Sequence, residues 1–182
     1  MQKGRTILSS KRFELTINRL CHQLIEEYGQ FENTCLIGVQ PRGVPFADRI
    51  HKRLSEILSL SKIQYGRLDI TFYRDDYRIR EEPLRANTTE MDFLVDGKRV
   101  ILIDDVLYSG RTIQASLTAL QHYGRPEQVE LLVLVDRRFN RHLPIQADYV
   151  GMTVDAIDEA YVKVEWQESD SVDKVILYAQ KQ

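Results

Sequence analysis

Apolar residues recur at helical spacing in an early segment. Phe13, Ile17, Leu20, Leu24 and Tyr28 share one face, and Gly29 closes it. A continuous apolar run, Cys35 to Val39, predicts a short strand. It leads through Gln40-Pro41-Arg42-Gly43 into a second helix with Phe46, Ile50, Leu54 and Ile57 on one side. Ile63 to Tyr73 reads as another strand. The polar stretch Arg74 to Gly97 has no period and is long enough to be a functional loop. Val100-Ile101-Leu102-Ile103 is apolar without alternation, the pattern of a strand covered on both faces. Helical spacing resumes through Ile113, Leu117 and Leu120 until Gly124-Arg125-Pro126 stops it. Val129 to Val135 repeats the buried-strand pattern, and the tail is irregular and strand-rich. Strands alternating with helices predict an α/β fold with a parallel sheet.

The junction after Val100-Ile101-Leu102-Ile103 carries the chemistry. Asp104-Asp105-Val106-Leu107-Tyr108-Ser109-Gly110-Arg111-Thr112 joins a buried strand to a helix, a turn that falls at the carboxyl edge of an open sheet, where ligands bind. Gly110 lets the backbone approach a ligand, Ser109 and Thr112 add hydroxyls, and free N–H groups at the helix start favour an anion. The pattern G-x-x-x-x-G-K-[ST] of a nucleoside-triphosphate loop is absent. Two carboxylates at the mouth of the turn would repel phosphate, so they must face hydroxyl groups or a Mg²⁺ on the same ligand. A phosphorylated sugar with free hydroxyls satisfies both halves. Gln40-Pro41-Arg42-Gly43 is a second strand–turn–helix junction, and Arg42 supplies a forked donor suited to pyrophosphate.

Length and charge narrow the class. A chain of 182 residues suits one domain, 1–182, and a net charge of −2 exerts no global pull on nucleic acid or anionic membrane. Met1 to Arg5 lacks the apolar core of a signal peptide and no segment is apolar enough to span a bilayer, so a cytoplasmic protein without membrane contact is expected. Cys21 and Cys35 lack metal-ligand spacing and read as buried free thiols.

The run Val100 to Thr112 resembles the phosphoribosyl pyrophosphate (PRPP) motif of type I phosphoribosyltransferases. That resemblance implies that Asp104 and Asp105 hold the ribose 2- and 3-hydroxyls. It implies that Val106, Leu107, Tyr108, Ser109, Gly110, Arg111 and Thr112 take the 5-phosphate, and that Pro41, Arg42 and Gly43 cradle pyrophosphate. Five strings are similar to one branch, the pyrimidine-operon attenuators (PyrR) that also act as uracil phosphoribosyltransferases. They are Leu68 to Asp76, Val100 to Thr112, Gly124-Arg125-Pro126, Leu134-Val135-Asp136-Arg137 and Leu143 to Gly151.

The likeness implies a type I phosphoribosyltransferase fold: a mainly parallel sheet flanked by helices, a small C-terminal hood (about 136–182) and a flexible active-site loop (about 74–97). It further implies that Arg74 at the loop root contacts pyrophosphate and that Val135, Asp136 and Arg137 border the base. The reaction would make UMP and pyrophosphate from uracil and the co-substrate PRPP, with Mg²⁺ bound mainly through PRPP or pyrophosphate. Asp104, Asp105 and Arg74 are the candidate catalytic residues. Asp105 is a candidate to accept a proton or stabilise charge at C1, with ribose binding alone as the alternative. Asp75 and Asp76 are open between ligand contact and loop structure.

The branch also implies a homo-oligomer and a pyr mRNA hairpin as partner, gripped by a basic face. Here that face thins. Asp136-Arg137-Arg138 stands for Asp-Arg-Gly, with an extra residue within Phe139-Asn140-Arg141-His142. Gln146 and Met152 replace cations, and Glu26 and Glu27 are acidic. Arg19, His22, Arg137, Arg138 and Arg141 are the remaining basic candidates. A binding regulator with little turnover, and a transferase for another nucleobase, stay open as alternatives.

Overall fold

The computed structural model describes residues 4–59, 63–75, 87–155 and 160–179. Asp76 and the part of the expected loop from 76 to 86 lie outside these. The elements run β1 (Arg5–Leu8), α1 (Ser10–Tyr28), β2 (Thr34–Val39), α2 (Gly43–Leu58), β3 (Gln64–Leu68), β4 (Arg99–Leu107), α3 (Arg111–Leu120), β5 (Gln128–Arg138), β6 (Tyr149–Asp155), β7 (Tyr161–Glu165), α4 (Gln167–Asp170) and β8 (Lys174–Tyr178). Strands β3-β2-β4-β5-β6 form a parallel sheet in that order, and β1-β8-β7 form a smaller antiparallel sheet.

The unbroken apolar runs of β2 and β4 follow from helices lying on both faces of the large sheet. Ile101 and Ile103 pack with residues of α1 and α2, whereas Val100 and Leu102 pack with Ile113, Ala115 and Ala119 of α3. Each fully buried Leu or Ile contributes roughly 1.5–3 kcal/mol. The small sheet docks on the α1/α2 side. Phe13 meets the Trp166 ring edge-on, with centroids 5.5 Å apart, and the Arg49 guanidinium lies 4.8 Å over the same ring. Arg49 also pairs with Asp173 at 2.7 Å. Cys21 and Cys35 are buried free thiols, pushed up to about 12 and about 11 by burial, and so are poor nucleophiles.

Four features depart from the sequence pattern. The strand expected over Ile63–Tyr73 ends at Leu68, because the Asp69 carboxylate accepts hydrogen bonds from the Thr71 amide (3.1 Å) and hydroxyl (2.6 Å). These bonds draw Thr71–Tyr73 into a 3₁₀ turn. Strand β4 runs past its apolar residues to Leu107, so both acids belong to the strand. Leu117, placed on the apolar face by its spacing, is 38 % exposed, while Ala115, Ser116 and Ala119 form the narrow buried stripe. Of the hood expected over 136–182, β6 joins the large sheet, and β1 from the other end of the chain completes the small one.

Truncating Phe13 to Ala leaves a cavity between α1 and the small sheet. The expected cost is about 3–5 kcal/mol, read as a lowered midpoint in urea with unchanged slope.

Candidate active site

Two adjacent carboxylates sit at the carboxyl end of β4, 5 % and 7 % exposed for Asp104 and Asp105. The Asp105 amide donates to Asp104 Oδ1 at 2.9 Å. Burial raises both carboxyls above the usual range. Asp104 rises furthest because the neighbouring Asp105 charge adds to burial, while Arg42 pulls both back. The Arg42 guanidinium also donates to the Tyr161 hydroxyl at 3.4 Å, which holds its own value up. Arg42 precedes α2 in a turn with a cis Gln40–Pro41 peptide.

Gly43, the first residue of α2, makes this juxtaposition possible. A Cβ there would lie 2.6 Å from the Ile103 carbonyl oxygen and 2.9 Å from Asp104 Cα. Only a residue without a side chain lets the α2 turn touch the backbone of β4 beside the acids.

Beyond the acids, the chain turns through Tyr108-Ser109-Gly110 into α3. Gly110 caps the helix at φ 92°, in the left-handed region that side chains resist. The turn and the start of α3 line a cavity of about 490 Å³, bordered by Arg74, Asp75, Asp104 and Val106 through Ile113. Helix N-terminal amides with Ser109 and Thr112 hydroxyls beside them are donors suited to an anion. Arg74 also borders the cavity. Arg111 forms an ion pair with Asp75, joining the turn to the preceding loop root. That root is tied down by Asp69, whose second oxygen accepts from the Asn87 amide at 3.0 Å.

The structure therefore brings Arg74, Asp104 and the whole Val106–Thr112 run to one cavity. Pro41, Arg42 and Gly43 stand on another side of the acid pair and are not among the residues lining that cavity. Val135 points into the core, so only its backbone is available to a ligand. The Asp136 carboxylate pairs with Arg141. Arg137 is 5 % exposed and lays its guanidinium 4.2 Å over the Tyr108 ring.

Among the residues grouped above as a basic face, Arg137 and Arg141 thus turn towards this site. Arg19 donates to the Val150 and Gly151 carbonyls, Arg138 pairs with Asp155 at 2.6 Å, and His22 is exposed. Sequence reasoning left Asp75 undecided, and it overlooked Tyr161 and Ile113, as well as Arg141 as part of the site. Tyr161 reaches Arg42 across 119 positions and Arg141 reaches Tyr108 across 33, distances no local motif spans, whereas Ile113 directly follows the turn.

A family model of the phosphoribosyl transferase domain matches residues 4–169. Proteins described as "Bifunctional protein PyrR" are similar along nearly the whole chain. The one from Deinococcus radiodurans is 45% identical over 95% of this chain and 93% of its own. That from Caldicellulosiruptor bescii is 40% identical over 97% and 96%, and that from Bacillus cereus 39% over 98% and 99%. Among solved structures, a hypoxanthine-guanine phosphoribosyltransferase from Bacillus anthracis superposes with a TM-score of 0.72. It is 16% identical and covers 97% of this chain and 98% of that one. A hypoxanthine phosphoribosyltransferase from Staphylococcus aureus gives 0.69 at 18% identity, over 97% and 92%. These two show the shared fold. The chain belongs to the phosphoribosyltransferases, and within them to the PyrR proteins.

Two expectations follow from the geometry. A buried Asp with a raised value binds its proton more readily folded than unfolded. Stability is then lost as pH rises from the unfolded-chain value, 3.8, through the folded one. Asp104→Asn, which keeps the acceptor for the Asp105 amide, should flatten that slope and raise Tm at neutral pH. The rise is about 2–4 °C for each kcal/mol in a chain of this size. Thermal melts across pH decide it, and an unchanged slope would contradict a charged carboxylate at this depth. Gly43→Ala should cost about 1–3 kcal/mol in chemical denaturation, because backbone rather than flexible side chain opposes the new methyl.

Proposed function

We propose that this chain, as one phosphoribosyltransferase domain, transfers ribose 5-phosphate from PRPP to N1 of uracil, yielding UMP and pyrophosphate. The observation that carries the transfer is a cavity bordered both by Asp104, one of two adjacent buried carboxylates, and by a helix start suited to an anion. The choice of uracil is supported by the strings Leu68 to Asp76 and Leu143 to Gly151, similar to PyrR proteins, and by membership among them.

In this reading the N1–C1 bond forms as the C1–oxygen bond to pyrophosphate breaks, the bonding pair leaves with pyrophosphate, and the N1 proton passes finally to solvent. Asp104 and Asp105 accept hydrogen bonds from the ribose 2- and 3-hydroxyls, fixing the ring. The amides from Val106 to Thr112 hold the 5-phosphate. Arg42 and Arg74 steady the departing pyrophosphate, with Pro41 and Gly43 shaping the turn that presents Arg42. To Asp105 we assign the acceptance of a proton or the stabilisation of positive charge developing at C1. Preorganised dipoles and charges of this kind supply most of the acceleration.

Mg²⁺ fits this site as a companion of the substrate. Among the described residues no group of three or more His, Cys, Asp or Glu stands together to hold a metal. Mg²⁺ commonly binds through substrate phosphates while keeping several waters. It would supply charge neutralisation on the leaving group. Asp136 and Arg137, with the Val135 backbone, border the base.

A second role, binding a pyr mRNA hairpin, is supported by the relatives' description as bifunctional. The exposed His22 and Arg19 and the surface Arg138 are its candidate contacts. We also place the protein in the cytoplasm as a homo-oligomer. No helix among the described residues is long and apolar enough to cross a membrane.

The test is a nucleobase panel with PRPP and Mg²⁺, following pyrophosphate release and nucleotide formation. Uracil should give UMP. Turnover of purines or orotate without uracil would overturn the base assignment. For the RNA role, hairpin affinity should respond to uridine nucleotides and fall steeply with salt, in proportion to the phosphates neutralised. Salt-independent binding would exclude it.

A further inference from the structure

Arg141, in the segment between β5 and β6, is grouped by sequence with a nucleic-acid surface. Its side chain points the other way. One guanidinium nitrogen donates to the Tyr108 carbonyl oxygen and another pairs with the Asp136 carboxylate. Both side chains are largely buried, Arg141 at 22% exposure and Asp136 at 15%. Next to it, the Ser109 carbonyl accepts from two backbone amides, His142 (3.0 Å) and Leu143 (3.2 Å). Leu143 and Ile145 also close against Gly110, since a Cβ there would lie 3.4 Å and 3.2 Å from them. Residues 141–145 thus form a brace behind the phosphate turn.

The consequence follows from peptide geometry. In a planar trans peptide the carbonyl and the next residue's N–H point in opposite directions. Drawing the Tyr108 and Ser109 carbonyls towards the brace turns the Ser109 and Gly110 N–H groups to the opposite side. The cavity lined by Tyr108, Ser109 and Gly110 lies against this turn. The fork of Arg141 suits this task, because its planar donors reach a carbonyl and a carboxylate together with little loss of freedom.

We infer that Arg141 is a positioning residue. It orients the amides that receive the 5-phosphate, and through Asp136 it locks that turn to the end of β5, where the base is bordered. The inference rests on the proposed phosphoribosyl transfer and adds a residue to it. Leu107 and Asp136 are already paired in register across β4 and β5, so Arg141 closes a short ring from one strand end to the other.

Two small probes separate the halves of the site. Ribose 5-phosphate reports the phosphate turn, and inorganic pyrophosphate reports the side near Arg42. In calorimetric titrations, Arg141→Met should weaken ribose 5-phosphate roughly tenfold, the effect of losing one charge-assisted hydrogen bond. Pyrophosphate affinity should stay within about twofold of wild type on the same scale. In turnover, KM for PRPP should rise more than KM for uracil. Arg141→Lys, which keeps the charge and one donor, should recover part of the loss, and it also serves as the second variant if Arg141→Met folds poorly.

Equal weakening of both probes would mean a general structural role and overturn the inference. So would unchanged ribose 5-phosphate binding in the variants. Failure of the wild-type protein to bind ribose 5-phosphate or to transfer would instead overturn the proposed function.

Discussion

The carboxylates of Asp104 and Asp105 are held almost out of water at the end of a central strand, and the rest of the site is arranged around that cost. Two adjacent buried charges resist ionisation, and each neighbouring feature offsets the resistance or exploits it. Arg42 approaches from the start of α2, the Asp105 amide donates to Asp104, and Gly43 gives up its side chain so that α2 can stand against β4. In the proposed function, the hydroxyl donors of a phosphorylated sugar would offset this cost.

The anion half of the cavity has a different physical basis. It depends on backbone direction rather than on side-chain charge, and backbone direction has to be held from behind. Gly110 at a left-handed φ allows the turn, α3 supplies aligned amides, and the segment after β5 holds the opposite carbonyls. Asp75 pairs with Arg111, and Arg141 joins the Tyr108 carbonyl to Asp136, so this turn, the segment ending at Asp75 and the end of β5 share one network. Arginines at the β5 end that resemble a surface for nucleic acid are instead partly consumed in building this network.

Much of this was legible from local pattern. The buried strands, the helix faces and the diacid turn were readable because periodicity and short-range turn chemistry are encoded by neighbouring residues. The reading erred where a distant or side-chain-to-backbone bond outweighed the pattern. Thr71 looked like strand, yet Asp69 captured its amide. Leu117 had helical spacing, yet α3 faces the sheet through a stripe of small residues. Arg5 to Leu8 carried no strong signal of its own and became a strand only because β8 lay beside it.

The sequence by itself determined the order of strands and helices, the diacid with the small-residue turn after it, and the Pro-Arg-Gly turn before α2. Those depend on residues adjacent in the chain. Only the tertiary structure decided that Gly43 abuts Asp104, that Tyr161 reaches Arg42, and that Arg141 turns inward to the Tyr108 carbonyl. Each of those contacts joins residues tens of positions apart. Packing of the parallel sheet and its hood brings them together, and direction in space is a property that no local spacing records.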